Sequence, residues 1–74
     1  MDIEKKVLLL AILKMKEDET FNDVLITLEE SSVFTLKQGK KYLKELKIEK
    51  YIDNNNLTFT GIAQAKLVEQ EFKI

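Results

Sequence analysis

Seven consecutive apolar residues, Val7 to Leu13, lie near the start of a chain of only 74 residues. They belong to a longer stretch, Ile3 to Lys16, without glycine or proline and built from strong helix formers. On a helical wheel, Ile3, Val7, Leu10 and Lys14 stack on one face, while Leu8, Ile12 and Met15 stack on another. A helix that is apolar on two sides needs cover on two sides. So small a chain buries only a modest core. The second stripe must therefore be covered either within the chain or by a second copy.

Few other means of stabilisation are open. The chain has no cysteine and no histidine. That removes disulfides, thiolate metal sites, the commonest metal ligand and the commonest general base. The carboxylates do not have the spacing of a calcium loop. Ser31 and Ser32 have no histidine to activate them, and there is no glycine-rich phosphate loop. The expectation is a single domain over residues 1–74 that is not an enzyme and needs no cofactor or metal. The apolar run is too short to span a bilayer. Lys14, Met15, Lys16, Glu17 and Asp18 follow it where a signal peptide would have a small-residue cleavage site. A soluble cytoplasmic protein with no membrane partner is expected. Plentiful lysine, isoleucine and asparagine, with no arginine, suit an A+T-rich bacterial genome.

Further along, Thr20 and Asp23 have the spacing of a capping box ahead of a second helix, Phe21 to Glu30, with Phe21, Val24, Leu25 and Leu28 as its apolar stripe. Ser31 and Ser32 end it. Thr35 and Gln38 repeat the box ahead of a third helix, Leu36 to Ile48. Leu36, Gly39, Leu43 and Leu46 fall on one arc of this helix, and Lys37, Lys40, Lys41 and Lys44 on the other. The buried position of Gly39 points to close helix packing. Tyr51-Ile52 and Leu57 to Thr60 read as two short strands around an Asp53-Asn54-Asn55-Asn56 turn. Thr60 then caps a last helix, Gly61 to Phe72. The expected core is Leu10, Leu25, Leu28, Leu36, Leu43, Leu46, Ile52, Leu57 and Phe59.

The order α-α-α-β-β-α, mainly α with a small β-hairpin, resembles the winged helix-turn-helix superfamily of DNA-binding domains. The most specific part of the resemblance is Tyr42 to Gly61: Leu43-Lys44-Glu45-Leu46, the apolar pair Tyr51-Ile52, a polar turn, then Leu57-Thr58-Phe59-Thr60-Gly61. Two positions depart from it. Lys50 stands where the family often has a glycine helix cap. The tip of the wing carries Asp53, which repels phosphate, in place of arginine or lysine.

The resemblance implies a regulator that lays its third helix in the major groove of duplex DNA as a homodimer, with Thr35, Lys37, Gln38, Lys40, Lys41 and Lys44 toward the DNA. It also implies dimerisation through the first and last helices, where Leu8, Ile12, Met15, Ala63 and Leu67 are the spare apolar residues. Charge agrees with the position of the DNA face. The net charge is −1 overall, yet residues 35–52 hold six lysines and two acids, whereas residues 1–34 hold four lysines and eight acids. The competing expectation is a protein-protein interaction module whose lysines are a solvated helix face.

Overall fold

The computed structural model describes residues 1–73. It contains four helices: α1 (Ile3–Leu13), α2 (Phe21–Glu30), α3 (Leu36–Ile48) and α4 (Phe59–Phe72). The two-sided helix explains their arrangement. α2, α3 and α4 each pack on α1, α2 also packs on α3, and among the described residues α4 meets no helix other than α1. The apolar surface of α1 is thus covered from several sides by its own chain. Leu8 and Leu9 are fully buried and Ile12 is 2% exposed. Leu8 and Ile12, expected at a subunit contact, are instead core residues of the single chain.

The rest of the core comes from Val24 and Leu25 of α2, Phe34 from the turn after it, Leu46 of α3, Ile52, and Ala65 and Val68 of α4. Leu10, Leu28, Leu36, Leu43 and Leu57 pack half-buried against it. Two ion pairs tie α4 to α1 and its C-cap: Lys6 to Glu71 at 2.7 Å, and the cap residue Lys14 to Glu69 at 2.5 Å.

α2 and α3 begin where their capping boxes place them. Thr20 Oγ1 accepts from the Asp23 N–H while the Asp23 carboxylate accepts from the Thr20 N–H. Thr35 and Gln38 do the same. Both helices end in a Schellman turn. After α2, the Val33 N–H donates to Leu28 O and the Ser32 N–H to Glu29 O. After α3, the Tyr51 N–H donates to Leu46 O and the Lys50 N–H to Lys47 O. The turn residues Ser32 and Lys50 take left-handed backbone angles, φ 62° and 65°. α1 stops at Leu13, short of the expected Lys16, because the chain turns and the Lys16 N–H donates to the Glu19 carboxylate.

The expected winged helix with a β-hairpin is not formed. Among the described residues there is no strand or sheet, only one isolated antiparallel bridge between Ile52 and Leu57. The cause lies at Thr58. Its hydroxyl donates to Lys50 O at 2.7 Å and accepts from the Gly61 N–H at 3.0 Å, so Thr58, and not Thr60, caps α4. The helix starts two residues early and takes up Phe59 and Thr60, which a second strand would need. Phe59 is consequently 94% exposed instead of lying in the core. The polar turn does form. The Asp53 carboxylate accepts from the N–H groups of Asn55 and Asn56, both at 2.8 Å, which holds its pKa below the usual aspartate value.

Gly61 shows how closely this region packs. A Cβ there would lie 1.7 Å from the carbonyl oxygen of Tyr51. At Gly39, a Cβ would meet Leu25 and Phe34 side-chain atoms at 2.7 Å, so α2 and α3 cross closely there and any larger residue makes those side chains shift.

Candidate nucleic-acid interface

α3 has two chemically different sides. Its inward arc carries Gly39, Leu46 and the half-buried Tyr42 and Leu43. Tyr42 stacks at a tilt on Phe34, with ring centroids 5.8 Å apart. Glu45 of the helix and Glu49, its C-cap, flank this arc and turn toward α1. There both meet Lys5, at 3.1 Å and 2.5 Å. Lys5 is buried. Burial by itself disfavours its charge, but hydrogen bonds to Glu49 and Glu45 and their negative charges outweigh that, and its pKa lies above the ordinary lysine value. One buried cation from α1 therefore pairs with both acids and offsets one of their two charges, while their side chains stay 39% and 43% exposed.

The outward side is almost wholly basic. Lys37, Lys40, Lys41, Lys44 and Lys47 are all exposed, and none forms an ion pair among the described residues. With about 3.6 residues per turn, Lys37, Lys41, Lys44 and Ile48 lie along a single line, with Lys40 and Lys47 on one side of it and Glu45 at the margin on the other. Ile48, 71% exposed, is the apolar member of that line.

The first turn of α3 is different. Gln38 spends its carbonyl oxygen on the Thr35 N–H, and Thr35 spends its hydroxyl on the Gln38 N–H. Both side chains are exposed but engaged in holding the helix start. The carboxylate of Glu29, from α2, accepts from the Leu36 N–H at 2.7 Å. It thereby occupies the position where the N-terminus of α3 would otherwise attract an anion.

At the other end of α3, an open recess of about 310 Å³ separates it from the polar turn. Phe21, Leu43 and Ile52 line it, with Lys44, Lys47, Asp53 and Asn54. Beyond it, Glu17 and Glu19 approach Asn54 and Asn55, so the basic surface is bounded by acids there.

The remaining expected site residues are scattered. Met15 is half-buried beside Val24 and Leu28. Ala63 and Leu67 are exposed on the outer side of α4, and with Phe59 they follow an i, i+4, i+8 line. Sequence reading missed Lys5, Lys47, Ile48 and Phe59. For Lys5 a signal existed: it shares a stripe with Leu8, Leu9 and Ile12, at i, i+3, i+4 and i+7. For Phe59 there was none, since its exposure depends on where α4 begins.

Among the described residues no group of three or more acids is placed to hold a metal ion, and no helix is long and apolar enough to cross a membrane. Comparison with known proteins gave no matching family model, no matching curated protein and no matching solved structure.

Proposed function

We propose that this chain binds duplex DNA through the outer face of α3, as a homodimer. One observation carries the reading: the lysines of α3 are exposed and unpaired among the described residues, while its acid Glu45 and the C-cap Glu49 pair with Lys5. A helix face solvated for its own sake gains from mixed charges and i, i+4 pairs. A one-sign face suits a polyanion. Two helices joined by a tight turn, the second with an exposed face, also suit insertion into a major groove about 12 Å wide. The outer stripe of α4, with Phe59 94% and Leu67 61% exposed, supports the dimer, and it replaces the α1 contact expected from sequence. The absence of arginine leaves specificity to lysine, apolar contacts and DNA shape.

The test is a mobility shift on random duplex DNA across a salt series. If two copies neutralise about six phosphates, log K falls with log salt at a slope of roughly −5. Changing Lys37, Lys41 and Lys44 to Ala should abolish the shift and leave helicity unchanged, because all three side chains are exposed. If the triple variant and wild type behave alike, the face is only solvated. The function then falls to protein interaction, for which the apolar recess of Phe21, Leu43 and Ile52 is the supporting feature.

A further inference from the structure

The two ends of α3 are unequal partners for DNA. At its start, Glu29 holds a carboxylate on the Leu36 N–H, Glu30 is one residue away in sequence, and Thr35 and Gln38 are engaged with each other. A phosphate approaching here meets the Glu29 carboxylate on the helix start, and only the neutral donors left over, the Gln38 NH2 and the Thr35 O–H, face it. From Lys40 onward the lysines crowd together, at 40, 41, 44, 47 and 50, and the intervening acids are held by Lys5. Ile48 stands among them with 71% of its surface open to water. Lys41 and Lys44 precede it along the line, and Lys47 and Lys50 lie on either side of it in sequence, all with long flexible stems able to reach phosphates around it. With those lysines on phosphates, Ile48 is the apolar side chain that would face the floor of a groove. On that floor one base offers an apolar group, the C5-methyl of thymine.

We propose that the C-terminal half of α3 reads the DNA, with Ile48 seated on a thymine methyl group between lysine-phosphate contacts. This inference rests on the DNA-binding reading above and adds the base class that the domain recognises. A·T preference then follows from a direct contact as well as from DNA shape.

The experiment compares a short alternating A·T duplex with the same duplex containing uracil in place of thymine, which deletes only the methyl groups. Wild type and I48A are titrated on both at one salt concentration. Wild type should bind the uracil duplex about four-fold more weakly per contact, the factor that burying one methyl group is worth. I48A should bind both duplexes equally, near the level of wild type on uracil. Its fold should survive, because the side chain is mostly exposed, and circular dichroism checks this. Salt-dependent binding with no thymine-uracil difference in wild type would overturn the role of Ile48 and leave the DNA-binding reading standing. So would a difference that persists in I48A. No salt-dependent binding to either duplex would overturn both readings together.

Discussion

Gly61→Ala separates the tertiary account of this fold from one based on helix propensity, because the two give opposite signs. Gly61 lies in the first turn of α4 and its φ is not positive. Propensity alone therefore favours alanine there by about 1 kcal/mol. The structure opposes it. The added Cβ would stand 1.7 Å from Tyr51 O and 2.7 Å from Tyr51 C, both backbone atoms. No rotamer relieves that contact, so α4 or the segment before it must shift by more than an ångström. A shift disturbs three hydrogen bonds: the Thr58 N–H to Tyr51 O, the Thr58 hydroxyl to Lys50 O, and the Gly61 N–H to Thr58 Oγ1. At about 1 kcal/mol each, with roughly 1–3 kcal/mol for overpacking and the propensity gain subtracted, the net loss is about 3–5 kcal/mol. A domain of this size has roughly 4–11 kcal/mol of stability. The melting temperature should therefore fall by at least about 12 °C and by up to roughly 40 °C. Urea and thermal unfolding followed by far-ultraviolet circular dichroism measure this directly. The Gly39→Ala variant is the comparison. Its Cβ would meet side-chain ends, Leu25 Cδ2 and Phe34 Cε1, which can give way, so its loss should be smaller. A Gly61→Ala protein as stable as wild type, or more stable, would refute the close approach of α4 to Tyr51.

Ser32→Gly and Lys50→Gly should each raise stability by about 0.5–1 kcal/mol, since both residues hold left-handed angles that glycine adopts at lower cost; a loss in urea midpoint for either would contradict the Schellman turns. Lys5→Met should cost about 1–2 kcal/mol at neutral pH by leaving Glu45 and Glu49 without their cation. Because the folded Lys5 pKa is raised, its contribution is present below the ordinary value of 10.5 and fades as pH climbs through the higher folded value. The gap between variant and wild type should therefore shrink in strong alkali. Leu67→Glu combined with Phe59→Glu should convert a homodimer into a folded monomer in sedimentation experiments, and a wild type that is monomeric at high concentration would remove the dimer.

The residues that initiate helices carry their signals locally. The boxes Thr20-Asp23 and Thr35-Gln38 act within one turn, so the starts of α2 and α3 are legible without knowledge of the rest. The lysine arc of α3 is legible for the same reason, as a matter of helical period. The second face of α1 was ambiguous in sequence. The wheel shows that Leu8 and Ile12 need cover, but it does not say whether another chain or three helices of the same chain provide it. The hairpin reading failed at one hydroxyl. Thr58 and Thr60 are equivalent caps by type and spacing, and alternation of Leu57 to Thr60 suits a strand.

The sequence by itself determined the starts of α2 and α3 through their two capping boxes and the basic arc of α3, because these rest on interactions spanning three or four residues. Tertiary structure alone decided that Thr58 would reach Lys50 O and begin α4 early, dissolving the second strand and turning Phe59 outward. It also decided that Lys5 would draw Glu45 and Glu49 off the lysine face, and that Ile48 would be left among the lysines. Each of these depends on groups that are distant along the chain or on which side of a helix its neighbours cover, and periodicity cannot register that.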